Sequence, residues 1–248
     1  MREFEGKTVI VTGGGAGIGR ASAVGFAKRG AKHVVVNARG ASCEDAKREI
    51  EALGCKCTAV QGDIGREETI EALFRAAEDV DILVTSAGYV PAGDVLNTDM
   101  ADWDIAFDTN VKSVFLCCRE AVRRMKGRGG AIVNVASLAG LHGVKNRTLY
   151  ATTKGAVLAM TKSLALEYLR DGIRVNAVCP GTVLSPSVQR RIDNSEDPEA
   201  MMRMFVARQP GGRLGTPEEI AEAVLFMASP ANTFTTGEFL VCDGGANA

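Results

Sequence analysis

The chain has 248 residues, of which 46% are apolar and 24% are charged, close to the average for globular proteins. One α/β domain accounts for this length, so we predict a single domain over residues 1–248 with a sizeable core. The net charge of −1 and the 5% of aromatic residues argue against nucleic acid and against an anionic membrane as partners.

Neither a targeting segment nor a metal site is predicted. The N-terminus has no apolar stretch of signal-peptide length, and no apolar run approaches the roughly 18 residues of a membrane span. We therefore expect a cytoplasmic protein. The seven cysteines include no Cys-x-x-Cys pair, which favours free thiols in a reducing compartment. No cluster of histidine, cysteine and carboxylate residues has zinc spacing, so no metal is expected.

The first 29 residues predict a strand, a glycine-rich turn and a helix. Residues 7–12 are a short β-branched run, residues 13–19 are rich in glycine, and residues 20–29 are helical in character. This order is typical of the phosphate-binding unit of a Rossmann half, in which glycines let the backbone approach a pyrophosphate at a helix N-terminus. The candidate coenzyme residues of this turn are Gly13, Gly15, Gly17, Ile18 and Gly19.

The second predicted strand, residues 33–37, bears on the choice of coenzyme. An acid about 20 residues past the glycines would hold the ribose 2′-hydroxyl of NAD. Here the chain continues as Asn37-Ala38-Arg39, without an acid, and the guanidinium of Arg39 would suit the 2′-phosphate of NADP. We therefore expect Ala38 and Arg39 to favour NADP, with NAD as the alternative. The other interpretation of Arg39 is an ordinary loop arginine.

Strands and helices alternate along most of the remaining chain. The sequence predicts strands at residues 56–61, 81–85, 131–136, 174–179 and 238–242, and helices at residues 43–53, 67–78, 103–125, 150–168 and 217–227. With the first two strands, this pattern predicts an α/β fold built on one Rossmann-type, doubly wound parallel sheet of seven strands with helices on both faces.

Three polar residues form the candidate catalytic group. Tyr150 and Lys154 are four residues apart, which on a helix puts both side chains on one face. An ammonium beside the phenol would stabilise the phenolate and lower the pKa of Tyr150. Ser137 follows a predicted buried strand, at the sheet edge where ligands bind in open α/β folds. Together these groups could polarise a carbonyl oxygen and protonate it. The pair alone is a weak signal, because a solvated helix face can carry the same spacing.

Asn110 lies inside the helix predicted at residues 103–125, where asparagine is unfavourable. It is either a tolerated polar residue or the mark of a helix distorted to hold a water or a catalytic lysine.

Residues 186–209 interrupt the alternation directly after a strand, where a lid over the crevice would lie. The segment contains arginines and acids but no lysine, which fits a need for planar recognition of a carboxylate. Arg191 and Arg208, together with Arg147 just before Tyr150, are therefore candidates to bind a substrate anion. The alternative is that these arginines are solvated or pair with nearby acids, in surface pairs worth about 0–1 kcal/mol.

Taken together, these motifs resemble the short-chain dehydrogenase/reductase family along essentially the whole chain. The matching features are the glycine-rich turn, Asp63, Asn110, Ser137, Tyr150-x-x-x-Lys154 and Pro180-Gly181. The resemblance implies hydride transfer to or from nicotinamide. It implies coenzyme contacts also at Asp63, Ile64, Ala87, Gly88, Pro180, Gly181 and Val183. Homotetramers packed through the helices that carry Asn110 and Tyr150 are usual in the family.

The resemblance also implies a role for each catalytic residue. Tyr150 would be the acid/base, and Ser137 would hold the substrate oxygen. Lys154 would bind the nicotinamide ribose and lower the Tyr150 pKa, while Asn110 would fix a proton-relay water. One motif departs from the family, which often has Asn-Asn-Ala-Gly where this chain has Thr85-Ser-Ala-Gly88; Thr85 could replace the first asparagine.

A narrower resemblance covers the second half of the chain. Residues 143–147, 179–183, 185–192 and 208–210 are similar to cytosolic type 2 3-hydroxybutyrate dehydrogenases and 2-keto-3-deoxy-L-fuconate dehydrogenases, in which matching arginines bind a substrate carboxylate. We expect an NAD(P)-dependent oxidoreductase acting on a secondary alcohol or ketone of a small carboxylic acid. The alternatives are a reductase of uncharged ketoses or 3-oxoacyl chains and, from another class, a cofactor-binding scaffold without turnover.

Overall fold

A parallel sheet of seven strands forms the centre of the computed structural model, which describes residues 2–248. The strands are β1 (Thr8–Thr12), β2 (His33–Ala38), β3 (Lys56–Gln61), β4 (Ile82–Thr85), β5 (Gly130–Val135), β6 (Ile173–Pro180) and β7 (Phe239–Cys242). Their spatial order is β3-β2-β1-β4-β5-β6-β7, and every neighbouring pair is parallel. The predicted fold class and strand number are confirmed. The strand order reverses between β1 and β4, which opens a crevice at the carboxyl edge.

The helices cover both faces of the sheet, as the crossovers require. They are α1 (Gly17–Lys28), α2 (Ser42–Ala52), α3 (Glu67–Arg75), α4 (Met100–Phe107), α5 (Ser113–Met125), α6 (Thr148–Glu167), α7 (Pro186–Asp193), α8 (Pro198–Val206) and α9 (Pro217–Ala228). One apolar core lies between the sheet and α1, α2 and α9, and a second lies between the sheet and α3, α5 and α6. No helix within residues 2–248 is both long and apolar enough to cross a bilayer.

The helix predicted over residues 103–125 is longer and contains a distortion. Helical structure runs from Met100 to Met125, and Asp108–Lys112 between α4 and α5 is a π-helical turn. The expectation that the helix is locally distorted at Asn110 is confirmed. Single π-helical turns inside α-helices frequently occur at functional sites.

Residues 186–209 form the short helices α7 and α8 beside the carboxyl edge. Each helix begins with a proline that follows an N-cap residue. Ser185 Oγ accepts a hydrogen bond from Val188 N, and Asp197 Oδ1 accepts one from Ala200 N. The two helices share a small apolar core of their own, which consists of Ile192, Phe205 and Leu214 with Val188, Met201, Met202 and Val206 packed against it.

Buried hydroxyls join the strands near the crevice. Thr85 Oγ1 donates to Asn134 Oδ1 at 2.7 Å, and Asn134 Nδ2 donates to Thr161 Oγ1 at 2.9 Å. Thr85 therefore makes the contact with the sheet interior that was expected of it as the replacement of the family asparagine. One strand over, Thr12 Oγ1 accepts hydrogen bonds from Ser86 N and Ala87 N, which fixes the chain where it leaves β4.

Candidate active site

A cavity of about 810 Å³ opens at the carboxyl edge of the sheet. This volume is typical of sites for cofactors and small ligands. The cavity lies between the glycine-rich turn, the ends of the central strands, and helices α7 and α8. The predicted site residues that line it are Gly13, Gly15, Gly17, Ile18, Ala38, Arg39, Asp63, Ile64, Ala87, Gly88, Ser137, Arg147, Tyr150, Lys154, Pro180, Gly181, Val183, Arg191 and Arg208.

Two predicted site residues, Gly19 and Asn110, are not part of the cavity wall. A Cβ on Gly19 would overlap the carbonyl oxygen of Gly13, so this glycine lets the turn close on itself. Asn110 is fully buried, and its side chain binds backbone: Tyr89 N donates to Oδ1 and Nδ2 donates to Tyr89 O, both at 2.8 Å. Nδ2 also donates to Thr153 Oγ1 at 3.0 Å. The asparagine thus ties α6 to the segment that follows β4.

Lys154 is buried in α6 against the end of β5. Its Nζ donates a hydrogen bond to the carbonyl oxygen of Val135 at 2.8 Å, and the whole residue is 5% exposed. Burial disfavours the ammonium and lowers the pKa of Lys154 to about 8. A Cβ on Gly140 would lie 2.9 Å from the Lys154 carbonyl carbon, so the close packing of α6 on this turn requires glycine.

Tyr150 lies one helical turn before Lys154, with its ring centroid 5.8 Å from Lys154 Nζ. Burial raises the pKa of Tyr150 above its ordinary value, while the Ser137 hydroxyl and the charge of Arg147 act in the opposite direction. The expectation that Lys154 brings this pKa below its ordinary value is therefore wrong for this structure. Desolvation outweighs the favourable contributions, and the Lys154 ammonium is directed to the Val135 carbonyl.

Ser137 stands two residues beyond β5 and caps a short 3₁₀ turn. Its Oγ accepts a hydrogen bond from Ala139 N at 3.1 Å, which fixes the side chain and leaves the hydroxyl proton to be donated. Ser137 and Tyr150 line the same cavity and face one another closely enough for the serine hydroxyl to lower the tyrosine pKa. A substrate oxygen placed between them would meet two O–H donors.

The glycine-rich turn has the shape that a dinucleotide pyrophosphate needs. Helix α1 begins at Gly17 rather than after the glycines, and among residues 2–248 no side chain caps its first turn. Its N–H groups therefore face the cavity, where Ala16, Gly17 and Ile18 are lining residues. Gly13 has φ +67°, and a Cβ there would lie 2.7 Å from Ala87 N, so only glycine permits this approach of the turn to β4.

At the far end of this turn, Arg39 and Ser42 line the cavity beside Gly15. A Cβ on Gly15 would lie 2.5 Å from Ser42 Oγ and 2.8 Å from Ala38 Cβ, which shows how closely these residues surround the turn. Arg39 is exposed, and within residues 2–248 it forms no ion pair. Asn37 Nδ2 donates hydrogen bonds to the carbonyl oxygens of Val60 and Gly62, so this side chain stabilises the fold.

The three candidate substrate arginines converge, although they are far apart in sequence. Arg147, Arg191 and Arg208 all line the cavity. Burial lowers the pKa of Arg147 most, and the charges of Arg191 and Arg208 lower it further, which shows that the three guanidinium groups lie within reach of one another. The guanidinium carbons of Arg191 and Arg208 lie 5.6 and 5.9 Å from the ring centroid of Phe205.

Known proteins are similar to this chain in sequence and in fold. A family model described as Enoyl-(Acyl carrier protein) reductase matches residues 13–247. An uncharacterized oxidoreductase of Thermotoga maritima is 41% identical over 99% of each chain. The 2-keto-3-deoxy-L-fuconate dehydrogenase of Xanthomonas campestris pv. campestris is 38% identical over 98% of this chain and 80% of that protein. A solved short chain dehydrogenase/reductase family protein is 38% identical, with a TM-score of 0.89 over 99% of this chain and 100% of the other. The chain belongs to the short-chain dehydrogenase/reductase family.

Membership in the short-chain dehydrogenase/reductase family confirms the resemblance seen in the sequence. It makes the protein an oxidoreductase of a family that uses nicotinamide coenzymes. The narrower resemblance to 2-keto-3-deoxy-L-fuconate dehydrogenase is also confirmed, by a relative of that name.

Three residues that shape the site of this short-chain dehydrogenase/reductase were not predicted from the sequence. Ser42 and Tyr89 line the cavity. The guanidinium groups of Arg191 and Arg208 lie over the ring of Phe205. Tyr89 is held on both sides, by Asn110 at its backbone and by Asp102, which accepts a hydrogen bond from its hydroxyl. Of these three, only Phe205 could have been singled out from the sequence, because it is the sole phenylalanine within residues 186–209 and stands three residues before Arg208.

The pKa of Lys154 predicts a change of stability with pH. Between the folded value of about 8 and the ordinary value of 10.5, the unfolded chain binds more protons at this lysine than the folded chain. The free energy of unfolding that Lys154 contributes therefore rises with pH across this window. Wild type should gain stability relative to Lys154→Met as the pH rises, measured by urea unfolding. Lys162→Met, at an exposed position on the same helix, is the control for the general effect of replacing a lysine by methionine. A difference that stays flat would contradict the lowered pKa.

Proposed function

We propose that this oxidoreductase transfers a hydride between NAD(P) and a secondary alcohol or ketone of a small carboxylic acid, such as a 3-hydroxy acid or a keto-deoxy sugar acid. One observation carries the proposal: Ser137, Tyr150 and Lys154 share a cavity with three arginines that converge on it. The first group fits a carbonyl oxygen and the second fits a carboxylate.

The catalytic roles follow from the state of each group. When bound, the nicotinamide supplies or accepts the hydride. With its raised pKa, Tyr150 is a protonated phenol at neutral pH and donates its proton to the oxygen of a ketone, while Ser137 donates a second hydrogen bond to that oxygen. Lys154, with a pKa of about 8, gains and loses protons near neutral pH and can restore the proton of Tyr150.

Asn110 acts behind these groups. A Cβ on Gly88 would lie 3.6 Å from Asn110 Oδ1 and 4.0 Å from Lys154 Nζ. The absence of a side chain at Gly88 therefore leaves room between the side chains of Asn110 and Lys154. A water there would lie between the asparagine and the lysine, in keeping with the relay expected from the family. Asn110 also holds the backbone of Tyr89, beside which the coenzyme would bind.

The residues for the coenzyme fit NADP better than NAD. The uncapped start of α1 and the turn at Gly13 would hold the pyrophosphate. Arg39 and Ser42 offer a guanidinium and a hydroxyl beside Ala38, where an NAD enzyme would use an acid. Asp63, Ile64, Ala87, Gly88, Pro180, Gly181 and Val183 complete the wall that the coenzyme would contact.

Two further expectations remain part of the proposal. Helices α7 and α8 pack around their own small apolar core beside the cavity. This packing supports the expectation that residues 186–209 form a lid over the substrate. Apolar side chains are exposed on the helices that carry Asn110 and Tyr150, among them Trp103 and Ile105 on α4, Phe115 on α5 and Leu166 on α6. They support the expected homotetramer, because such surface is favourable to bury against other subunits.

The role of Tyr150 is tested by Tyr150→Phe. The variant keeps the ring but loses the proton donor, and loss of a general acid costs roughly 10²–10⁴-fold in rate. Coenzyme affinity, measured by fluorescence titration with NADPH, should stay close to that of wild type. Steady-state rates near those of wild type would remove Tyr150 from the mechanism.

The carboxylate assignment is tested by Arg208→Leu. We expect a sharp rise of KM for a hydroxy or keto acid, because a charge-assisted hydrogen bond is worth about 1.5–3 kcal/mol. Turnover of an uncharged ketone and the affinity for NADPH should change little. Arg203→Leu on α8 is the matched control, since Arg203 pairs with Glu199 and does not line the cavity. Equal losses on charged and neutral substrates would mean that Arg208 only shapes the fold, and would contradict the carboxylate assignment.

Coenzyme preference is tested by comparing wild type with Ala38→Asp. Wild type should have the lower Kd for NADPH, because Arg39 can bind the 2′-phosphate. The new carboxylate should reverse the preference, since it accepts a hydrogen bond from the 2′-hydroxyl of NADH and repels the phosphate. Wild-type protein that binds NADH more tightly than NADPH would contradict the assignment of Arg39.

A further inference from the structure

One residue between Ser137 and Tyr150 has an unusual backbone conformation. Among residues 2–248, Asn146 is the only residue other than glycine with a positive φ, at +59°. This left-handed conformation is unfavourable for most side chains, and asparagine tolerates it better than the others. Such backbone strain persists only where the surrounding structure fixes it, and it clusters at functional sites. The contacts of Asn146 show what fixes it here.

The contacts of Asn146 are made by its backbone rather than by its side chain. The residue is exposed, it is not part of the cavity wall, and within residues 2–248 its side chain forms no hydrogen bond. Its carbonyl oxygen, in contrast, accepts two hydrogen bonds, one from Gly93 N at 3.1 Å and one from Arg147 Nη1 at 2.6 Å. Asparagine therefore contributes here through the direction in which its backbone places this oxygen.

The two hydrogen bonds join two separate parts of the cavity wall. Gly93 belongs to the segment after β4, of which residues 88–90 line the cavity. Arg147 also lines the cavity and is the N-cap residue of α6, although its side chain does not cap the helix. Gly93 and Arg147 pair as an isolated parallel β-bridge. The start of α6 is therefore fixed to the segment after β4 through the carbonyl oxygen of Asn146.

The segment after β4 has a fixed shape at this contact. A tight turn follows Gly93, in which Asp94 Oδ1 accepts a hydrogen bond from Asn97 N at 3.0 Å. Gly93 has φ +153°, and a Cβ there would lie 3.2 Å from Thr98 Oγ1. The π-helical turn holds the other end of the segment at the backbone of Tyr89. The segment is thus held at both ends, and its Gly93 end is the one that contacts the start of α6.

We propose that Asn146 is a positioning residue for the substrate end of the cavity. Its left-handed backbone binds the guanidinium of Arg147 and the amide of Gly93 at one oxygen, so that the two parts of the cavity wall keep one arrangement. We call these two hydrogen bonds the Asn146 clamp. The effect of the clamp on the substrate rests on the proposed function, in which Arg147 binds the carboxylate. The clamp itself rests on the backbone geometry alone.

A series of substitutions at Asn146 separates backbone conformation from side-chain identity. Asn146→Gly removes the side chain but permits the left-handed region, Asn146→Ala disfavours this region, and Asn146→Val disfavours it most. The clamp is measured in the full-length protein by hydrogen exchange of the peptide that contains Gly93. We expect exchange close to that of wild type in Asn146→Gly, faster in Asn146→Ala, and about tenfold faster in Asn146→Val.

Peptides from the central strand β1 are the internal control of the exchange series, and their protection should not change. Asn146→Ala is the milder variant and decides the result if Asn146→Val also weakens the protection of β1. The same protection of Gly93 in wild type and Asn146→Ala would overturn the proposal. Equal losses in Asn146→Gly and Asn146→Val would overturn it too, because the side chain and not the backbone conformation would then be responsible.

Steady-state kinetics measure what the clamp does for a substrate. With 3-hydroxybutyrate and the coenzyme that wild type prefers, Asn146→Val should raise KM about tenfold and change kcat about twofold at most. The physical reason is that a displaced guanidinium weakens binding of the carboxylate, while Tyr150 remains in place. Asn146→Gly should keep the wild-type KM, and the KM for uncharged 2-butanol should be the same in all variants. A fall of kcat at constant KM would overturn the positioning role.

The two measurements distinguish this proposal from the proposed function. Wild type that oxidises uncharged alcohols but no small hydroxy acid would overturn the proposed function, while the exchange series still decides whether Asn146 holds Gly93. Oxidation of 3-hydroxybutyrate with equal Gly93 exchange in wild type, Asn146→Ala and Asn146→Val would leave the proposed function standing and overturn only the role of Asn146.

Discussion

The hydrogen bond from Lys154 Nζ to the carbonyl of Val135 holds the site together. It brings a buried cation of α6 to the end of β5, at a distance of 2.8 Å. Burial of an ammonium is costly, and a carbonyl acceptor offsets part of that cost, which leaves a lysine with a pKa of about 8. Because the helix is fixed at this point, Tyr150 one turn earlier reaches the cavity, and Thr153 faces Asn110 in the π-helical turn.

The fold and most of the cavity wall could be predicted from the sequence for a simple reason. In a parallel sheet all strands end at one edge, so residues that directly follow the predicted strands are neighbours in space. Gly13, Ala87, Ser137 and Pro180 come just after β1, β4 and β5 or at the end of β6, and all of them line the cavity. Such placement needs only the order of the elements and their buried, β-branched pattern.

Other features could not be predicted, because they depend on contacts between distant residues or on desolvation. Asn110 was recognised by its unfavourable position, yet its partners, the backbone of Tyr89 and the hydroxyl of Thr153, follow only from how α6 packs. The Tyr150 pKa was expected to fall because a lysine is nearby. It rises because partial burial of Tyr150 disfavours the phenolate, and spacing along a helix carries no information about burial.

Phe205 shows how the protein orients arginines without neutralising them. An ion pair within the chain would fix Arg191 and Arg208, but it would also occupy their donors and compete with any anion. A buried aromatic ring instead attracts guanidinium groups through its electron-rich face and leaves their N–H edges open. The small core of α7 and α8 around this ring therefore contributes to the cavity wall as well as to the fold, since it keeps the positive charge of Arg191 and Arg208 beside the cavity.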